Sequence, residues 1–512
     1  IAVIGASRDD DSIGGRLFRN LLMQGFTGPI NPVNPSAPFV HSVAAYSSVK
    51  DIPGHVDVAF IVVPAKFVPA VLEECGEKGV RGVVVISAGF GETGDAGEEI
   101  ERGLVTTARR HGMRLVGPNC MGVLNTDPKV SMDGQFGPTF PPQGNVAMAS
   151  QSGALGLAIL QQAAELNIGI SSFVSLGNGI DVSATDLLLY WEEDPATDVI
   201  LLYMESFGNP RRFGRLARRI SHSKPIVAVK SGRSAAGARA ASSHTGALAS
   251  LDVAVDALFK ESGVVRTDTL DELFAVTNLF AQQPLPAGRR VAVLSNAGGP
   301  AILAADALEA RGLELTHLSD ELQAMLAEHL LPEASTANPV DMVASAGPDQ
   351  YAACLGHLMD SDEIDSIVVI HIPASPGGSG GVAESVEATV KARGGSDKTL
   401  IAVYMGGAPD SADDDVDHPI PVYSYPESAA QALSAAVGYS EWRQKEEGEY
   451  PRPDGIDRAE AEKIVRRAIA RVGKDGGWMT DVEVQGLLSA YGIALAQTHV
   501  AHSADEAVAL AA

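Results

Sequence analysis

Residues 147–170 read AMASQSGALGLAILQQAAELNIGI, and residues 292–315 read AVLSNAGGPAILAADALEARGLEL. Each starts as a short apolar run, turns through Ser-(Gln/Asn)-x-Gly, and continues with apolar residues at helical spacing. An apolar run without alternation suits a strand buried on both faces, as in a parallel sheet. The glycine-bearing turn lets the chain double back onto a covering helix. The same opening used twice predicts a duplicated flavodoxin-like domain.

The pattern extends in both directions. Upstream, IAVIGAS (1–7), GPINPVN (28–34), DVAFIVVPA (57–65), GVVVISAGF (82–90) and RLVGPNC (114–120) predict parallel strands. Amphipathic stretches such as FVPAVLEECGEKG (67–79) lie between them. This is a doubly wound, nucleotide-binding pattern. Links rich in Pro and Gly, GQFGPTFPPQG (134–144) and AQQPLPAGRR (281–290), separate three sets of strands. The second set includes DVILLYMES (198–206) and KPIVAVKSG (224–232), the third SIVVIHIPA and LIAVYMGG. The charged stretch EWRQKEEGEYPRPDGIDRAEAEK (441–463) predicts a solvated linker. The expected class is α/β. A Rossmann-like domain spans 1–133, flavodoxin-like domains span 145–281 and 288–440, a linker covers 441–475, and a further segment covers 476–512. An opening on Ile1 without methionine and a stop at Ala512 inside a helical pattern predict a piece of a longer protein.

Composition narrows the function classes. A net charge of −26 argues against nucleic-acid and membrane-surface partners, because phosphates are repelled except at local positive features. Cys75, Cys120 and Cys354 lie far apart, form no metal spacing, and fit a reducing cytoplasm. No apolar stretch reaches the ~20 residues needed to span a bilayer.

Three glycine-bearing turns can offer free backbone N–H groups at a helix start, a ready anion site. They are GASRDDDSIGG (5–15), SQSG (150–153) and SNAGG (295–299). Each is also compatible with an ordinary strand–helix junction. The first is not a clean G-x-G-x-x-G, and the second strand carries Asn31 and Asn34 where a dinucleotide fold has an acid for the ribose, so NAD is disfavoured. The stretch SGRSAAGARAASSHTGALAS (231–250) carries His244 in a long run of small residues. A loop that only joins strand to helix needs no such length, whereas one that carries an imidazole between two places does. The bland alternative is a solvated loop histidine. Glu205 closes a buried strand, where a carboxylate is costly without a donor. An imidazole N–H would serve, leaving the other ring nitrogen free to attack phosphorus. His55, His111, His222 and His317 read as surface residues.

On IAVIGAS, VVISAGFGE, RLVGPNCMGV, SQSGALG, Glu205 with SSHTGAL, and SNAGGPAI, the chain resembles the ADP-forming acyl-CoA synthetases, single-chain relatives of succinyl-CoA synthetase. The resemblance runs over essentially the whole length. It implies an acid–CoA ligase that interconverts acyl-CoA, ADP and phosphate with carboxylate, CoA and ATP. It implies CoA binding by Gly5, Ser7, Ser12, Gly14, Pro64, Lys66, Ser87, Gly89, Asn119 and Cys120. It places the phosphorylated histidine at His244, its supporting glutamate at Glu205, and phosphate binding at Ser150, Gln151, Ser152, Gly153, Asn296, Gly298 and Gly299. Residues 480–501 resemble the opening of an ATP-grasp domain, where ADP or ATP with Mg²⁺ would bind. A cytoplasmic homo-oligomer is expected. Two other classes stay open: a CoA-sensing module of a fused lysine N-acetyltransferase, and a dehydrogenase-like nucleotide binder. Retention of His244 favours the working ligase.

Overall fold

The computed structural model describes residues 1–234, 236, 237, 239, 252–373, 381–406, 420–446, 448, 453–473, 476–496 and 501–511. Residues 1–444 pack as one unit and 445–512 as another. Among the described residues the first contains three large sheets and one two-stranded hairpin.

The first sheet is parallel, in the order β2 (Asn31–Val33), β1 (Ala2–Ile4), β5 (Val58–Ile61), β6 (Gly82–Val85), β7 (Arg114–Val116). Between β2 and β5 lies a small hairpin of β3 (Phe39–Val40) and β4 (Val43–Ala44). The helices α1 (Ile13–Met23), α2 (Val68–Lys78) and α3 (Asp95–Arg110) cover this sheet. Leu17, Phe18 and Leu21 of α1 are fully buried, as their spacing requires of one helix face.

The second sheet has seven strands. β10 (Gln143–Ser150), β11 (Ile170–Ser175), β12 (Val199–Met204), β13 (Ile226–Lys230) and β14 (Val265–Thr267) run parallel in the order β14-β13-β12-β10-β11. β8 (Gly122–Asn125) adds antiparallel to β11, and β9 (Met132–Gln135) to β8. The hairpin Gly122–Gln135, which the sequence reading assigns to the first region, thus belongs to the second sheet. Its backbone groups find partners on β11, some fifty residues away, a pairing that local patterning does not announce. The third sheet runs β16 (Glu314–Leu315), β15 (Arg290–Ser295), β18 (Ser366–His371), β19 (Thr399–Tyr404), β20 (Val422–Tyr423), with β17 (Val340–Asp341) also on β15. Helices Leu270–Gln282 and Pro426–Gln444 share one apolar core with strands of both flavodoxin-like sheets, through Leu273, Phe280, Leu433 and Tyr439.

Asp133 of β9 is 2% exposed. Burial pushes its carboxyl up from 3.8 to about 7, against a 2.9 Å hydrogen bond from Gln135 Nε2. An acid whose folded pKa is raised binds more protons folded than unfolded. Stability therefore falls as pH rises from about 4 to about 7, then stays level. Asp133→Asn keeps an acceptor for Gln135 and removes the buried charge. The variant is expected to melt a few degrees above the parent at pH 8 and together with it near pH 4. A thermal-melt difference that ignores pH would show that burial of the charge is not the cause.

The second unit is helical. Helix Arg458–Val472 starts on Asp457, whose side chain accepts from Glu460 N–H at 2.9 Å, and packs on helix Asp481–Ala490. It overturns part of the expected linker. A charged surface with Lys463–Glu460 and Arg466–Glu462 pairs reads as a solvated coil, while the buried face consists of small residues, Ala461 and Ala468. Among the described residues no helix is long and apolar enough to cross a membrane.

Candidate functional site

In each of the three sheets the chain leaves one strand first to one side and later to the other. A crevice opens there beyond the carboxyl ends of two neighbouring strands. These points lie between β1 and β5, between β10 and β12, and between β15 and β18. The glycine-bearing turns singled out in the sequence fall on all three.

At the first, the chain leaves β1 through Gly5, whose φ of 95° places it against the Val62 carbonyl. Gly14 opens α1 against the Gly5 carbonyl. A Cβ at either position would overlap backbone oxygen. Ser12 caps α1, its Oγ accepting from Gly15 N–H at 3.1 Å and donating to the Asp9 carbonyl at 2.7 Å. Asn34, where a dinucleotide fold has an acid, donates from Nδ2 to the Ala6 carbonyl at 2.8 Å and so ties the turn to β2. Over this turn lies a cleft of about 740 Å³. Gly5, Ser7, Ser12, Gly14, Pro64, Ser87, Asn119 and Cys120 line it, together with Gln151, Ser152 and Gly153 from the second sheet. Lys66 and Gly89 are not part of that lining. The Lys66 ammonium lies 4.9 Å over the Phe67 ring, and Gly89 donates its N–H to Glu92 at 2.5 Å. Burial pushes the Cys120 thiol up to about 12, so it lines the cleft as a neutral group and not as a nucleophile.

On the CoA binding that the sequence resemblance implies for this turn, Gly14→Val should weaken CoA affinity at least tenfold, because β1 and α1 can no longer approach. Gly103→Ala on α3, where a Cβ meets nothing within 4 Å, serves as the control. Calorimetry with CoA reads both. Parent-like affinity of Gly14→Val would separate this turn from the ligand.

At the second crevice, Ser150 is fully buried and folds the turn: its Oγ donates to the Ser152 carbonyl at 2.6 Å and accepts from Ser152 N–H at 3.2 Å. Ser152 caps helix α4 (Gly153–Glu165) by accepting from Leu155 N–H. The side-chain amide oxygen of Gln151 accepts from the backbone N–H groups of Glu205 and Ser206, the latter at 2.8 Å. The end of β12 is thus pinned to the end of β10. Glu205 is half-buried and lines a second cleft of about 720 Å³ with Ser206, Gln151, Asn119, Asn178 and the α3 residues Glu98, Glu101 and Arg102. Asn119 and Gln151 line both clefts.

Asn178 was not singled out in the sequence. Its Nδ2 donates to Glu92 Oε2 at 2.7 Å and Glu101 Oε1 at 2.6 Å, and its Oδ1 accepts from Asn119 Nδ2 at 3.3 Å. Burial raises the Glu92 carboxyl, and hydrogen bonds from Gly89 and Asn178 outweigh it and hold the group below its ordinary value. This network joins the SAGFGE turn and α3 to the turn after β11. Lys230, 7% exposed at the end of β13, was missed as well. Burial lowers its ammonium from the ordinary value, and the charges of Glu205 and Asp252 oppose that shift.

The third crevice repeats the second. Ser295 Oγ donates to the Ala297 carbonyl at 2.9 Å and accepts from Ala297 N–H at 3.1 Å. Asn296 accepts from Ile372 N–H at 3.0 Å and donates to the Ile372 carbonyl at 2.9 Å, pinning β18 to β15 as Gln151 pins β12 to β10. Gly298 and Gly299 open helix Gly298–Glu309. In both turns the side-chain amide is used within the protein. At the place of Glu205 stands Ile372, after β18, with the buried His371 beside it 3.4 Å from the Tyr351 hydroxyl. The carboxylate near this turn comes from another strand, Asp341 of β17, whose Oδ2 lies 3.0 Å from where a Cβ on Gly298 would stand. Of the histidines read as surface, His55 is exposed, while His111 pairs with Glu73 at 2.9 Å and His222 stacks on Trp442. His244 lies outside the described residues. Among the described residues no three His, Cys, Asp or Glu side chains gather as a metal site.

Residues 1–126 match a CoA binding domain family, 143–280 the succinyl-CoA ligase like flavodoxin domain family, and 291–445 a ligase-CoA domain family. The chain is 42% identical over 442 residues to the acetate–CoA ligase [ADP-forming] II subunit alpha of Pyrococcus furiosus, covering 85% of this chain and 95% of that one. It is 38% identical over 511 residues to the acetate–CoA ligase [ADP-forming] I of Archaeoglobus fulgidus, covering 99% of this chain and 72% of the relative. Its fold superimposes, with a TM-score of 0.79 at 36% identity, on a dinucleotide forming acetyl-coenzyme A synthetase 1 of Ca. Korarchaeum cryptofilum, solved in complex with phosphate and ADP. That match covers 86% of this chain and 96% of the other.

Proposed function

The chain belongs to the ADP-forming acetate–CoA ligase family, and we propose how its residues divide the work of an acid–CoA ligase. CoA binds in the first cleft, its phosphates toward the backbone amides of the Ser7–Gly14 turn at the start of α1. Local amides serve here because a chain of net charge −26 offers phosphate little else. The acyl thioester then lies toward Asn119 and Gln151, at the start of α4. Phosphate held by the N–H groups of Ser152 and Gly153 attacks the thioester carbonyl. The C–S bond breaks, CoA leaves as the thiol, and an acyl phosphate remains. A ring nitrogen of His244 takes the phosphoryl group, and the carboxylate leaves. Glu205 accepts a hydrogen bond from the other ring nitrogen and stabilises the cationic phosphoimidazole. The second helix start, at Gly298 and Gly299, receives phosphoryl oxygens in the same way.

The observation that carries this reading is the pair of adjoining clefts that share Asn119 and Gln151, with the glycine turn in one and Glu205 in the other. ADP is the final acceptor, bound by an ATP-grasp domain of which residues 480–501 are the opening. Magnesium would accompany that nucleotide, and no step above depends on it. Among the described residues of 445–512 the buried side chains are small, Ala461, Ala468 and Ala490.

The test uses the 512 residues with acyl-CoA, phosphate, magnesium and ADP. Expected are phosphate-dependent release of CoA thiol and an alkali-stable phosphoprotein, with ATP appearing only when an ATP-grasp domain is added. Robust ATP from the 512 residues alone would overturn the division of labour, and no thiol release would overturn the residue assignment.

A further inference from the structure

His244 sits in the segment that joins β13 to helix Asp252–Ser262, and the described residues on its two sides are ion-paired to neighbouring side chains, Asp252 to Arg266 and Arg233 to Asp268. Arg266 lies on β14, paired alongside β13, and its guanidinium is 13% exposed. Nη2 donates to Asp252 Oδ1 at 2.5 Å, where the segment ends. Nη1 lies 3.8 Å from Asp256, one turn further along the same helix. Nε lies 3.6 Å from Asp268 Oδ1, and that same oxygen pairs with Arg233 Nη1 at 2.7 Å, where the segment begins. Arg233 Nη1 also reaches the Asp268 carbonyl, at 3.3 Å.

We propose that Arg266 is a positioning residue for phosphoryl transfer: it fixes the far end of the His244-bearing segment directly, at Asp252, and supports the near end through Asp268, which pairs with Arg233. The proposal rests on His244 as the phosphoryl carrier. The reach of a carried group is set by where its tether is fixed, and delivery to one geometry requires both fixed points to hold. Asp256 also pairs with Lys260 at 2.9 Å and Asp268 with Arg233 at 2.7 Å, so loss of the guanidinium falls chiefly on Asp252, the first residue of helix 252–262. A guanidinium suits this role better than an ammonium, since its nitrogens address separate carboxylates from a planar fork.

The experiment separates the two half-reactions. Acyl phosphate formed from acetyl-CoA and phosphate is trapped as hydroxamate with hydroxylamine, and phosphohistidine is read as alkali-stable label from radioactive phosphate. Arg266→Met is expected to lower the phosphohistidine rate at least tenfold, with the hydroxamate rate and the KM for acetyl-CoA within twofold of the parent. Arg266→Lys should recover part of the loss. Asp252→Asn and Asp268→Asn, each removing one arm, should give intermediate rates and cover the case that Arg266→Met folds poorly. Equal losses in both half-reactions would mean a merely structural side chain and overturn the proposal. A phosphohistidine rate within twofold of the parent in every variant would do so as well. Absence of phosphohistidine from the parent would overturn the carrier role of His244 and the clamp with it.

Discussion

Replacement of His244 by Asn is expected to abolish the transfer of phosphate from acyl-CoA and phosphate onto the protein, while CoA binds as in the parent. Asn keeps a polar side chain of similar reach and offers no nitrogen able to attack phosphorus. The first cleft, where CoA is proposed to bind, draws its described lining from the β1 turn, the β5 and β6 ends, the residues after β7 and the β10 turn, and residue 244 belongs to none of these elements. The label in the parent should be lost in acid and survive alkali, as a phosphoramidate does and a phosphoester or acyl phosphate does not. Acyl phosphate should still form in the variant and be trapped by hydroxylamine. Labelling of the variant at the parent's level would sink the assignment and turn attention to the carboxylates of the second cleft.

Glu205→Gln should slow phosphohistidine formation by about one to two decades. The backbone of Glu205 is held by the Gln151 amide whatever the side chain carries, so this substitution removes a charge with little displacement. On the proposed assignment, what is lost is a charge-assisted hydrogen bond to an imidazole that becomes cationic on phosphorylation, worth roughly 1.5–3 kcal/mol. Single-turnover labelling measures it. A rate within twofold of the parent would leave Glu205 as a strand-end residue of the cleft wall and nothing more.

The strands were legible wherever burial on both faces produced an unbroken apolar run. DVILLYMES contains β12 and KPIVAVKSG contains β13, and the glycine turns after β1, β10 and β15 mark the three crevices. Less legible was whatever depends on a distant partner. The hairpin 122–135 has its pairing partner on β11, and helix Arg458–Val472 buries alanines under a surface of paired charges. In the site, glycines and caps could be read because their reason is local: a positive φ, a close carbonyl, a free N–H. Asn178 and Arg266 could not. Each matters through side chains supplied by other elements, Glu92, Glu101 and Asn119 for the one, Asp252 and Asp268 for the other. The repeat of SQSG in SNAGG was visible as spelling. That both use a side-chain amide to pin the neighbouring strand was not, nor was the fact that the pinned strand runs into Glu205 in the first copy and into Ile372 in the second.

On the proposed division of labour, the wall common to the two clefts would give the reaction a kind of privacy. With Asn119 and Gln151 facing both ways, a mixed anhydride formed on one side has only to cross the width of a side chain to be consumed on the other. Its escape competes with a step over ångströms, whereas an anhydride added to the medium must first approach a strongly anionic surface. An unlabelled pool outside would therefore do little to dilute an isotope passing from thioester to histidine. In a cell, the enzyme would draw on and supply CoA, phosphate and the free acid without ever setting the concentration of the activated acid between them.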